Sequence, residues 1–328
     1  MPAAKKILIN GGVGFIGYHL SKKLLDDGHD VVIYDAFINY IPADKSTYAL
    51  YLHARLADLD KRVEIIRGDI KDVDHLIKTI KEHRPEVLIN LAAVPIATAS
   101  NEMPWELIEV NLEGTIAILD AIRSTDSVRR FVYTSSSFVY GNFKKEPADE
   151  NHITEPIDIY GGTKLAGEIL TKTIGKKFGI EYTIIRPSAV YGPTDANRRV
   201  TQIFVENALS GKPLILHDGG SGRLDFSCVM DVADGFALAA LSPKARNETF
   251  NITCGEGRSM RSFAEILQRL VPGVKIIERP SDDIRPERGA LDISKARRLL
   301  GYNPKYPLEK GMEEYVRYVK DSGILSKL

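Results

Sequence analysis

The stretch Lys6-Ile7-Leu8-Ile9-Asn10-Gly11-Gly12-Val13-Gly14-Phe15-Ile16-Gly17 decides how the rest of the chain is read. A short apolar run reads as a buried strand, and the glycines behind it open a helical pattern over Phe15–Asp27. Two registers fit: Gly12, Gly14 and Gly17 as G-x-G-x-x-G, or Gly11, Gly14 and Gly17 as G-x-x-G-x-x-G. In either, the missing side chains let backbone N–H groups approach a pyrophosphate at a helix N-terminus. With 26 glycines in the chain, spacing alone is weak. The strand before it and the helix after it set this turn apart from a purely structural one.

Outward from the turn, apolar runs at Asp30–Tyr34, Val63–Arg67, Glu86–Asn90, Arg129–Thr134 and Glu181–Arg186 read as further strands. Helical patterns lie between them at Ser46–Leu59, Asp72–Glu82, Pro104–Arg123 and Tyr160–Phe178. Most strands are continuously apolar, as suits burial on both faces. The fold class is therefore α/β, a doubly wound parallel sheet of the Rossmann type, with its ligand beyond the carboxyl ends of the strands. After Arg186 the rhythm breaks at Pro187, Pro193, Pro213 and Gly219-Gly220-Ser221-Gly222, and helical patterns return near Val200–Leu209, Val232–Leu241, Ser259–Leu270, Ser294–Leu300 and Leu308–Lys320. The expected organisation is a dinucleotide-binding domain over 1–187, with 229–252 returning to it, and a smaller mixed α/β substrate-binding region over 188–328.

At 328 residues the chain is long enough for about two domains, and 44% hydrophobic residues exclude disorder as its dominant state. Lys plus Arg and Asp plus Glu number 44 each, which argues against nucleic acid or an anionic membrane as partner. No apolar run approaches a membrane span, and Ile7-Leu8-Ile9 is too short for a signal-peptide core, so a cytoplasmic location is expected. Cys228 and Cys254 lack metal-ligand spacing, and His19, His29 and His53 are scattered, so no metal is expected.

The second strand ends at Tyr34-Asp35, 18 residues after Gly17. An acid there accepts both hydroxyls of an adenosine ribose and repels a 2′-phosphate. No Arg or Lys lies between Asp35 and Asp44 to rescue such a phosphate, which points to NAD rather than NADP. Asp69, after the third strand, suits either an adenine contact or a helix N-cap.

A Tyr four residues before a Lys places both on one helix face. At about 4 Å and an effective dielectric near 20, the ammonium favours the phenolate by about 4 kcal/mol, drawing the phenol toward use as a general base. Tyr140/Lys144, Tyr160/Lys164 and Tyr306/Lys310 all have the spacing. Only Tyr160 opens a long helical pattern, where the helix dipole also favours its phenolate, and only Tyr160 follows a hydroxyl-rich strand end, Thr134-Ser135-Ser136-Ser137.

Taken together these residues resemble the extended short-chain dehydrogenase/reductase superfamily, in its NAD-dependent nucleotide-sugar epimerase/dehydratase branch. The resemblance spans nearly the whole chain. Asn10 to Gly17 is similar to the family's glycine motif in the wider register, with Gly11, Gly14, Phe15, Ile16 and Gly17 at the cofactor. Asn90-Leu91-Ala92-Ala93 resembles the strand-four motif and Asn111-Leu112-Glu113-Gly114-Thr115 the N-x-x-G-T helix. Tyr133 to Gly141 is similar to the catalytic-serine strand, Tyr160 to Lys164 to Y-x-x-x-K, and Arg186 to Pro193 to the strand-six motif. The resemblance implies Ser136, Tyr160 and Lys164 as catalytic residues. It also implies NAD contacts at Asp35, Asp69, Ile70, Leu91, Ala92, Ala93, Asn111, Pro187 and Val190, as well as Tyr160 and Lys164.

On this likeness Tyr160 takes a proton from a sugar hydroxyl at C4, Lys164 holds the nicotinamide ribose, and a transient 4-keto sugar is reduced on its other face to the C4 epimer. The substrate implied is a nucleotide-diphosphate sugar, held through Thr98, Ser136, Ser137, Tyr160, Arg199, Arg223 and Arg288, in a homodimer joined by the Pro104–Arg123 and Tyr160–Phe178 helices. Where 4,6-dehydratases carry an Asp-Glu pair after the catalytic hydroxyl, this chain has Ser137 and Phe138, which argues against dehydration. Ala189 replaces an Asn of many UDP-sugar enzymes, Thr98 stands where uronate-handling relatives have Arg, and Arg223 is offset from the usual phosphate-binding position. The alternatives are a C4 dehydrogenase or 4-keto reductase, and a non-catalytic NAD-binding sensor or scaffold.

Overall fold

A computed structural model describes residues 4–42, 46–59, 61–95, 102–280 and 287–327. Six strands alternate with helices: β1 (Lys6–Asn10), β2 (Asp30–Asp35), β3 (Glu64–Arg67), β4 (Val87–Asn90), β5 (Arg130–Thr134) and β6 (Glu181–Arg186). The helices are α1 (Phe15–Asp26), α2 (Tyr48–Leu59), α3 (Val73–His83), α4 (Pro104–Ile108), α5 (Gly114–Arg123) and α6 (Ile159–Phe178). The later elements are β7 (Val190–Tyr191), α7 (Val200–Leu209), β8 (Leu214–His217), β9 (Arg223–Asp225), β10 (Ser227–Cys228), α8 (Val229–Leu241), β11 (Glu248–Asn251), β12 (Gly257–Ser259), α9 (Met260–Leu270), β13 (Ile276–Arg279), α10 (Ser294–Leu300) and α11 (Leu308–Asp321).

The central sheet runs β11-β6-β5-β4-β1-β2-β3, parallel throughout. Its strands are apolar on both faces because both are covered. Ile7 and Ile9 enter one core with Leu20 and Leu24 of α1 and Phe236 of α8, while Leu8 enters a second with Leu76 of α3 and Leu119 of α5. Each such fully buried side chain contributes roughly 2 kcal/mol. The chain leaves β1 toward β2 and β3, then crosses back to β4 on the other side of β1. That reversal opens a crevice at the carboxyl ends of β1 and β4.

The predicted strands are all present, with ends within one residue. The helix expected over Pro104–Arg123 is present as one continuous helical run, in which a π turn, Glu109–Glu113, joins α4 to α5. The turn swings the Asn111 amide onto Val94, whose N–H donates to Oδ1 at 2.8 Å. Gly114 follows because Ile70 packs so close that a Cβ would lie 2.5 Å from its Cδ1.

Beyond Arg186 the chain returns to the sheet: α8 packs on α1, and β11 pairs with β6 as the edge strand. A second return is made by α10, whose Ala296 and Leu300 join the α1–α8 core. The remainder builds a third core around Tyr191, Phe204, Phe226, Phe263, Leu267 and Tyr315. Asp225 pins this lobe. Its buried carboxylate accepts from the N–H groups of Cys254, Gly255 and Leu291 and from the Thr253 hydroxyl, and burial still pushes it up to about 7. Among the described residues no helix is long and apolar enough to cross a membrane.

Candidate active site

A cavity of about 1170 Å³ occupies the crevice and extends under the C-terminal lobe. Its volume exceeds that of an ordinary single-ligand pocket. Gly11, Gly14 and Gly17 line it, together with Phe15 and Ile16, whereas Gly12 does not. A Cβ on Gly12 would strike Ile33 at 2.7 Å, so that residue serves strand packing and the wider register faces the ligand. Gly11 has φ +76° and donates its N–H to Tyr34 O at 2.9 Å, and a Cβ on Gly17 would fall 2.2 Å from Gly11 O. Gly14 begins α1 with no side-chain cap and no acid in the first turn, leaving that helix end open to an anion.

Asp35 closes β2 beside the turn. It accepts from Val13 N–H at 3.1 Å and Phe37 N–H at 2.8 Å, while burial raises its pKa. Asp69 also lines the cavity, and the cap of α3 is Asp72, which accepts from His75 N–H at 3.0 Å. Sequence reasoning missed Arg55. From α2 it reaches the same region, donating through Nη1 to Val13 O at 3.0 Å and through Nη2 to Thr194 O. Its fork is spent on carbonyls, joining the glycine turn to the loop after β7, rather than left for a 2′-phosphate. The signal was the buried spacing Tyr51, Arg55, Leu59 along one helix face.

At the other end of the crevice stand Ser136, Tyr160 and Lys164, all lining the cavity. Asp158 caps α6 by accepting from Gly161 N–H at 2.6 Å, which places Tyr160 in the first turn. The other two Tyr/Lys pairs lie elsewhere: Tyr140 donates to Asn251 at 2.7 Å in the protein interior, and Lys310 sits over the Tyr306 ring away from the cavity. Lys164 donates to Thr134 O at 3.0 Å, its Nζ 5.8 Å from the Tyr160 ring centre. The expected lysine-driven fall of the Tyr160 pKa is not what the protein alone produces. Burial raises the phenol, the Arg199 charge and the Ser136 hydroxyl pull it back, and Asp158 adds to the rise. Lys164 is buried in turn, which brings it down to about 8.

Ile70, Leu91, Ala92, Ala93, Pro187, Val190 and Ser137 also line the cavity. Asn111 is not among the residues lining the cavity: the π turn brings its amide to Val94 and, at 3.4 Å, to the Thr163 hydroxyl on α6. These bonds tie the segment after β4 to α6. Thr98 lies outside the described residues.

Three predicted arginines reach the cavity in different states. Arg199 donates to Val190 O at 3.2 Å and Pro95 O at 3.4 Å. Arg223 is paired with Glu146 at 2.7 Å. Arg288 stacks 4.1 Å over Phe138, its Nε buried without a hydrogen-bond partner among the described residues, and burial lowers it to about 10. Phe138 in turn meets the Tyr160 ring edge-on at 5.4 Å.

The sequence profile of the NAD dependent epimerase/dehydratase family matches residues 7–253. The chain belongs to that family. It is 34% identical over 322 residues to a putative UDP-glucose 4-epimerase of Methanocaldococcus jannaschii, covering 96% of this chain and 99% of that one. With the UDP-glucose 4-epimerase of Mycolicibacterium smegmatis it shares 31% over 324 residues, 96% and 99% of the two chains. In three dimensions it is similar to the Bacillus cereus UDP-glucuronic acid 4-epimerase solved with UDP-glucuronic acid and NAD: TM-score 0.88, 30% identity, 96% of this chain and 99% of that one.

The residues of this epimerase/dehydratase family member fit NAD. The Gly11–Gly17 turn is a cradle that a Cβ would fill, and Asp35, lining the same cavity at the end of β2, is the acid that would accept the hydroxyls of an adenosine ribose. Thr134 O is the one hydrogen-bond partner of the Lys164 ammonium among the described residues, which leaves two of its protons for a second ribose. No cluster of His, Cys, Asp and Glu among the described residues could hold a metal ion.

Proposed function

We propose that the protein interconverts the C4 epimers of a nucleotide-diphosphate sugar. The observation that carries this is the convergence of Tyr160, Ser136 and Lys164 on the crevice into which the glycine turn opens. Bound NAD supplies a hydride acceptor, and later donor, at its nicotinamide ring. Tyr160 takes the proton of the C4 hydroxyl, with Ser136 hydrogen-bonded to the same oxygen. Lys164 holds the ribose, and Arg199 adds the positive charge that favours a phenolate. The 4-keto sugar then presents its other face, and Tyr160 returns the proton to the C4 oxygen.

Arg288 and Arg199 bind the substrate diphosphate, joined by Arg223 if it exchanges Glu146 for phosphate. Relatives named as UDP-sugar 4-epimerases support this reading. Dehydration is disfavoured. Ser137 donates to Ser188 at 3.1 Å and Phe138 is a ring stacked under Arg288, so neither position offers an acid or base for removing water.

The working form is a homodimer. α4, α5 and α6 expose Trp105, Ile116, Ile169 and Phe178, and Ile116, Ile174 and Phe178 line a surface groove between helices. Two unbridged thiols, Cys228 and Cys254, support a cytoplasmic location.

The test is to incubate the purified protein with UDP-glucose and, separately, UDP-glucuronic acid, and to follow both the C4 epimer and absorbance at the NADH band. Epimer without accumulating NADH is expected. Stoichiometric NADH, or a 4-keto product released to solution, transfers the function to a dehydrogenase.

A further inference from the structure

Three consecutive residues at the end of β5 each engage one of three residues spaced four apart on α6. Thr134 O accepts from Lys164 Nζ at 3.0 Å and the Ser135 hydroxyl donates to Glu168 Oε1 at 2.6 Å, while Ser136, whose hydroxyl accepts from Phe138 N–H at 3.3 Å, faces Tyr160 across the cavity wall and lowers the pKa of its phenol. Residues 160, 164 and 168 lie along one helix face. Two rungs of this ladder belong to the proposed chemistry. The third does not, since Glu168 lines no part of the cavity.

That third rung is heavily built. Glu168 is 1% exposed, yet it is ionically paired: Arg186 of β6 forks onto it, Nε to Oε1 and Nη2 to Oε2, both at 2.7 Å. Lys172 approaches Oε2 at 3.7 Å from the solvent side. Arg186 is locked in turn, donating through Nη1 to the Tyr140 hydroxyl at 2.9 Å and Glu150 O at 3.1 Å, with Tyr140 donating to Asn251 at 2.7 Å. A buried pair costs desolvation that apolar packing would not, so it adds little to stability for its own sake. What it does provide is a fixed geometry. The fork holds one carboxylate oxygen at hydrogen-bond distance from the residue next to Ser136.

We infer that Glu168, oriented by Arg186, is a positioning residue: through Ser135 it clamps the end of β5 against α6 and so fixes Ser136 relative to Tyr160 and Thr134 O relative to Lys164. The inference rests on the epimerase reading of the site. Slackening the clamp displaces Ser136 from the phenol and removes an interaction that favours its ionised form. Of the other groups acting on that phenol, Arg199 belongs to the start of α7 and Asp158 is fixed to the first turn of α6 by its bond from Gly161 N–H, so neither depends on the Ser135–Glu168 contact.

The experiment compares Glu168→Asp and Ser135→Ala with the wild type in the NAD-loaded enzyme. Glu168→Asp keeps the charge but withdraws it by one methylene; Ser135→Ala removes only the rung and spares the ion pair. Both are expected to lower kcat about tenfold or more with KM nearly unchanged, and to move the acid limb of the kcat–pH profile to higher pH. Ser135→Thr, which restores the hydroxyl, should recover most of the rate. A lower melting temperature with kcat and pH profile intact would make the pair purely structural and overturn the inference. So would a loss confined to Ser135→Ala, since Ser135 would then act by touching substrate. If the wild type epimerises no nucleotide sugar, the functional reading falls, and the clamp is read separately: the ultraviolet titration of Tyr160, taken as the difference from Tyr160→Phe, should move upward in Glu168→Asp.

Discussion

At the scale of the residue, the site turns on how a buried phenol is made basic. A lysine four residues on was expected to do this. The folded protein instead spends one ammonium proton on Thr134 O and buries the amine, so the strongest downward pull on Tyr160 comes from Arg199 at the start of α7. Because Arg199 lowers the phenol pKa, removing its charge leaves the phenol protonated to higher pH. Arg199→Met should therefore shift the acid limb of the kcat/KM–pH profile, which reports the free enzyme, to higher pH, as steady-state profiles would show. Ser136, Tyr160 and Lys164 were legible because spacing on one helix and a hydroxyl-rich strand end are local signals. Arg199's effect on Tyr160 and Arg55's bridge from Val13 to Thr194 join segments far apart in the chain, and no local pattern encodes such meetings.

Among elements, the strand–turn–helix unit β1–α1 was the most legible piece, since glycine, strand and helix signals there agree. Its glycines are sterically enforced. Gly17→Ala would press a methyl against Gly11 O, 2.2 Å from the Cβ position, in a backbone turn with no flexible side chain to give way. NAD recovered from the denatured variant should fall at least about tenfold relative to the wild type, with the C-terminal core intact. The π turn before α5 was illegible for the opposite reason. One extra residue in a helical repeat barely disturbs hydrophobic spacing, yet it aims the Asn111 amide at Val94 and Thr163. The wider glycine register, by contrast, needed only the packing of Gly12 against Ile33 to be chosen.

Over the whole molecule, a parallel sheet supplies the crevice and the C-terminal lobe closes it, bringing Arg199, Arg223 and Arg288 over a floor that holds Tyr160. The lobe is only coarsely legible in the sequence. Its short two-stranded sheets pair segments such as β9 with β12 and β8 with β13, and the Asp225 anchor gathers backbone N–H groups from 254 to 291. Outside the crevice, exposed Ile169 and Phe178 on α6 mark the face proposed to join two copies. Changing both to Glu should halve the mass measured by light scattering while each chain retains its fold; an unchanged mass would place the interface elsewhere.

The most direct measurement is the C4 epimerisation rate of NAD-loaded Tyr160→Phe, with bound NAD quantified in the same preparation. The phenol's role as proton acceptor predicts a fall of at least about 10²-fold at unchanged NAD content. A rate near that of the wild type would contradict it.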